Sequence, residues 1–79
     1  MRRSLSTVSP AGEGWQVRPP ASEAALFRSG REAERSARRL AERLARHGQV
    51  VEIEIRLRDG RLAGRLRYGA VGVRELEPA

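Results

Sequence analysis

The sequence predicts an α+β domain, in the order β-β-α-β-β, with an antiparallel sheet and one helix packed on one of its faces. Three observations predict it. Small and apolar residues recur at helical spacing from Ala33 to Leu44. Two-residue alternation flanks Asp59-Gly60 on both sides. A third alternating segment, Trp15-Gln16-Val17-Arg18, precedes the helix.

The elements follow in chain order. Residues 4–8 and 15–18 read as two short strands, separated by the turn-rich run Ser9-Pro10-Ala11-Gly12-Glu13-Gly14. Trp15 and Val17 would face a core while Gln16 and Arg18 face water. Pro19-Pro20 ends the second strand, because neither residue can donate to a ladder. Ala24 to Phe27 is compatible with a helical turn after Ser22 or with an extended approach to the helix.

The helix has the clearest boundaries. Ser29-Gly30-Arg31-Glu32 fits the capping box S-x-x-E. Ala33, Ala37, Leu40, Ala41 and Leu44 form one apolar stripe, small enough to let a helix lie close to a sheet. Gly48 stands where a left-handed cap belongs, and Arg46 and His47 suit the negative helix end. On the polar side, Glu34 precedes Arg38 and Glu42 precedes Arg46 by four residues, which favours pairing, whereas Arg35, Arg39 and Arg43 make a like-charge row.

Asp59-Gly60 predicts a two-residue type I′ hairpin turn with Arg58 opposite Arg61. Counting outwards, Leu57 faces Leu62, Ile55 faces Gly64, Ile53 faces Leu66 and Val51 faces Tyr68 on one side. On the other, Arg56 meets Ala63, Glu54 meets Arg65 and Glu52 meets Arg67. Apolar alternation and charge pairing agree on this register, and a slip of one residue would turn one apolar face to water. The tail from residue 70 to 79 reads either as frayed or, at Val71 and Val73, as a short edge strand. One domain over residues 1–79, with an ordered core of about residues 4–69, is the expected organisation.

The bulk composition narrows the function classes. A chain of 79 residues has a thin core. It contains no Cys and one His, so disulfides, thiolate metal sites and a His-rich site are excluded and no cofactor is expected. Self-association remains as a source of extra stability, and a homodimer through an open sheet face or an edge strand is the expectation. Arg2-Arg3 is not followed by the apolar run of a signal peptide, and no segment reads as a membrane span, so the default is a cytoplasmic protein. The net charge is +6 and all sixteen basic residues are Arg. A GC-rich coding sequence explains that bias, as does guanidinium chemistry with phosphate or carboxylate. The charge is spread along the chain, which weakens a nucleic-acid footprint.

Reactive constellations are lacking in the pattern. His47 sits at a helix end without an evident partner, and Glu52 and Glu54 are explained as sheet partners of Arg67 and Arg65. Gly12-Glu13-Gly14 and Gly69-Ala70-Val71-Gly72 do not lie between a strand and a helix start, as a phosphate loop would. Trp15, Phe27 and Tyr68 all read as core, which leaves no stacking platform. The expected role is therefore non-enzymatic binding or self-association. The alternative is non-specific nucleic-acid or polyanion binding, through the hairpin and sheet arginines Arg56, Arg58, Arg61, Arg65 and Arg67 or through the helix face.

The residues Trp15-Gln16-Val17, Phe27, Ser29 with Glu32-Ala33, Ala37, Ala41, Asp59-Gly60-Arg61-Leu62 and Tyr68-Gly69 resemble a short bacterial family, domain of unknown function 2188. The resemblance spans roughly residues 8 to 69. Ser29 stands where the family usually has Thr, and Arg56 near where members often carry His. The resemblance implies the architecture and assigns no activity.

Overall fold

The computed structural model describes the backbone of residues 3–20, 22–69 and 72–77, and their side chains except those of Arg3, Glu75 and Glu77. Two strands, β1 (Arg3–Ala11) and β4 (Val50–Arg56), lie side by side in the centre of a six-stranded sheet and run parallel. The remaining strands are β2 (Gly14–Arg18), β3 (Ala25–Phe27), β5 (Leu62–Gly69) and β6 (Gly72–Glu77). The spatial order is β3-β2-β1-β4-β5-β6, and every pair except β1–β4 is antiparallel. The helix α1 (Gly30–Arg46) crosses one face, carrying the chain from the β3 edge back to the centre.

The expected α+β layering is present, with two strands more than the sequence pattern gave and one parallel pair in place of a wholly antiparallel sheet. Ala25–Phe27 is extended and pairs with β2, which settles the ambiguity before the helix. The tail pairs with β5 as an edge strand. Val71 and the C-terminal Pro78-Ala79, part of the expected tail, lie outside the described residues. The first turn is tighter than the turn-rich run suggested, because β1 continues through Pro10 and Ala11. Pro10 pairs only with Trp15 of β2, since the ladder to β4 ends at Val8↔Ile55, so its missing N–H costs no bond.

The local reasons for the helix hold. The Ser29 hydroxyl accepts the Glu32 backbone N–H at 3.2 Å and lies 3.3 Å from its carboxylate. At the other end Gly48 adopts φ +85°. Its N–H donates to the Ala45 carbonyl and that of Gln49 to the Leu44 carbonyl, which is the Schellman arrangement. Ala33, Ala37 and Ala41 face the sheet and are fully buried against Val8, Val17, Val51, Ile53, Leu66 and Tyr68. The one buried polar side chain among the described residues is Ser6, whose hydroxyl donates to the Arg18 carbonyl at 3.3 Å.

The hairpin register is as expected from Val51↔Tyr68 through Ile55↔Gly64. Nearer the turn it shifts. Arg56 pairs with Leu62 rather than Ala63, Leu57 is opposite Arg61, and a bulge absorbs the extra residue. Gly60 donates to the Leu57 carbonyl at 2.9 Å, closing a three-residue loop, Arg58-Asp59-Gly60. The physical reason is at Asp59. A type I′ turn needs positive φ at both central residues, and here only Gly60 has it, at +89°. Asp59 instead accepts the Arg61 backbone N–H at 3.0 Å.

Gly60→Val forces a β-branched residue into the left-handed region and is expected to cost about 1–2 kcal/mol. Thermal denaturation should show a Tm lower by roughly 5–15 °C, with a smaller loss for Gly60→Asn. An unchanged Tm in the Val variant would refute the loop conformation.

Candidate functional site

Burial divides the sheet into two chemically different faces. The inner face carries the aliphatic core under α1, and the outer face carries charge. Strand register lines that charge up in rows. One row runs Arg18, Thr7, Glu54, Arg65 and position 77 across β2, β1, β4, β5 and β6. The next runs Leu5, Glu52, Arg67 and Arg74. The result is an acidic column on β4 beside a basic column on β5.

The sequence-named arginines are all engaged. Arg67 and Arg65 both reach Glu52, at 3.5 and 3.6 Å. Glu54 meets Arg56 on its own strand at 3.3 Å rather than Arg65 directly across. Arg56 also donates to the Gly60 carbonyl, and Arg61 pairs with Asp59 at 2.8 Å. Arg58 donates to the Gly12 carbonyl at 3.0 Å, tying the β4–β5 loop to the β1–β2 loop. The structure therefore groups Arg56, Arg58 and Arg61 at one end of the sheet and Arg65 with Arg67 on the outer face, each held by an internal acceptor. His47 is likewise committed locally, with Nδ1 2.8 Å from the Arg43 carbonyl.

The other arginine set lies across the molecule. Arg35, Arg39 and Arg43 line a groove of about 520 Å³ between α1 and the β3 edge, together with Phe27, Ser36 and Leu40. Among the described residues no carboxylate comes within ion-pair distance of these three guanidiniums. The sequence read the row as helix repulsion, offered the helix face as an alternative polyanion surface, and took Phe27 as core. The ring is half-buried, packs against the core and also lines the groove. The available signal was that no acidic residue stands four positions from Arg35, Arg39 or Arg43.

On the far side of α1, Glu34, Arg38 and Tyr68 form a chain. Arg38 pairs with Glu34 at 2.8 Å, and its other terminal nitrogen is 3.5 Å from the Tyr68 hydroxyl. Burial pushes the Tyr68 phenol above its ordinary value of 10.0, with the Arg38 charge pulling the other way. The unfolded chain thus gives up this proton first. The stabilisation is full below pH 10.0 and is lost as pH rises through the folded value.

Tyr68 is the only tyrosine, so phenolate absorbance reports on it alone. The native midpoint should exceed that of the urea-unfolded chain, and Tyr68→Phe should flatten the alkaline fall in Tm. Equal midpoints would remove the burial argument.

Among the described residues no helix is long and apolar enough to cross a membrane. No curated protein and no solved structure matches the chain. Residues 6–68 match the family described as an uncharacterized protein conserved in bacteria, DUF2188. That span runs from within β1 through the helix to β5 and leaves β6 outside, and the chain belongs to this family.

Proposed function

We propose that this protein is a non-enzymatic, cytoplasmic interaction module that associates with a second copy of itself through the outer sheet face. The observation that carries the reading is the pair of columns, Glu52 with Glu54 on β4 and Arg65 with Arg67 on β5. A two-fold axis parallel to the strands and midway between β4 and β5 lays each copy's acidic column over the other's basic column. The face is then self-complementary, as an isologous interface must be.

Energetics favour this stacking for two reasons. The Glu52 and Glu54 side chains are only 23% and 21% exposed, so much of their desolvation is already met within one chain. The molecule also extends 35 × 25 Å along its two longer axes, on the scale of the roughly 800 Å² per partner of a stable interface. Leu5, 49% exposed on the same face, adds apolar area beside Glu52.

A second reading, polyanion binding, is supported by the +6 charge. Its cations are better sought on α1 than on the hairpin, where each arginine has an acceptor of its own.

Light scattering should show a dimer at high micromolar concentration, and a clean monomer there would overturn the reading. Glu52→Arg with Glu54→Arg should be monomeric, as should Arg65→Glu with Arg67→Glu. An equimolar mixture of the two variants should restore a dimer, because the columns are then opposite in sign on facing copies. Each reversed cross-strand pair costs about 0.2–1 kcal/mol within the sheet, so a Tm for each variant confirms that it is folded.

A further inference from the structure

We propose that the groove between α1 and β3 binds a single-stranded nucleic acid, with Arg35, Arg39 and Arg43 on successive phosphates and Phe27 as a stacking surface for a base. The site lies on the helix side of the sheet and does not depend on the outer-face dimer. Four residues of helix rise about 6 Å, so the three guanidiniums repeat at a spacing comparable to the phosphates of an extended strand. Their long side chains adjust the remaining difference.

Charge supports the assignment. Of the arginines on α1, Arg38 is spent on Glu34, whereas Arg35, Arg39 and Arg43 have no carboxylate partner among the described residues. The one acidic side chain lining the groove is Glu32, which is occupied at the helix start with Ser29. The row also destabilises its own helix through like-charge repulsion, a cost that a bound polyanion relieves.

The groove's shape selects the single strand. Phe27 is half-buried against the core and lines the groove together with the arginine row, Leu40 and Ser36. A duplex offers its phosphates but keeps its base faces stacked, so only an unpaired base reaches the ring. Stacking then adds sequence-tolerant affinity to the phosphate contacts. An acidic peptide supplies charge without a planar partner for Phe27.

The test is fluorescence anisotropy of a labelled oligothymidine on the full chain across a salt series. Three phosphate contacts predict a log–log slope near −2, from about −0.7 per contact on single strands. Arg35→Gln with Arg39→Gln and Arg43→Gln should lower affinity at least about tenfold at low salt. That variant should keep or raise its Tm, since it relieves repulsion. Phe27→Leu, which preserves an apolar side chain, should lower affinity about tenfold while leaving the salt slope unchanged. Arg56→Gln with Arg58→Gln and Arg61→Gln should bind as the parent does. Failure to bind at low salt, an unaffected helix variant, or equal competition by duplex DNA or polyglutamate would each overturn the proposal. Light scattering of the helix variant separates this outcome from loss of the dimer, whose face it leaves intact.

Discussion

The structure depends on how closely α1 can approach the central parallel pair of strands. Ala33, Ala37 and Ala41 present only methyl groups to the sheet, so the helix axis sits low over Val8, Val51 and Ile53. In a chain of 79 residues this contact supplies much of the available core. It also makes the parallel alignment workable. A parallel neighbour requires a crossover, and here the chain returns from β1 to β4 through β2, β3 and α1, with the helix also covering the pair. Larger residues at the three alanine positions would lift the helix and open both functions at once.

Seating the helix this way divides the charge. With one sheet face covered, the polar sides of the strands and the polar side of the helix point in opposite directions. On the sheet, cross-strand register brings carboxylates beside guanidiniums, and arginine charge is answered within the chain. On the helix, the spacing that keeps the alanines in one stripe also stacks Arg35, Arg39 and Arg43 without an acid between them. The two surfaces therefore have different capacities. One sets an acidic column beside a basic one, suited to a like surface. The other is unbalanced and concave, suited to an anion.

Much of the fold was legible locally. Capping chemistry at Ser29, Glu32 and Gly48 fixed both helix ends, because the side chain or backbone freedom that satisfies an orphan group is written in the residue itself. Period-two alternation fixed the register from Val51↔Tyr68 to Ile55↔Gly64. The turn was less legible, since Asp59-Gly60 is compatible with two loops and the choice depends on whether Asp59 itself must go left-handed. Strands β3 and β6 were hard to read because an edge strand is short and buries little on either side, so its sequence carries a weak pattern.

By itself, the sequence determined the helix and its caps, the hairpin pairing, and the identity of the apolar stripe, because these rest on contacts between residues near in the chain. It also placed Glu52 and Glu54 opposite the β5 arginines. Only the tertiary structure decided that β1 lies parallel to β4, that Phe27 borders a groove, and that one arginine set is satisfied while the other is not. Those outcomes join segments distant in sequence. No local propensity encodes them, and they follow from which faces the closing of the core leaves adjacent.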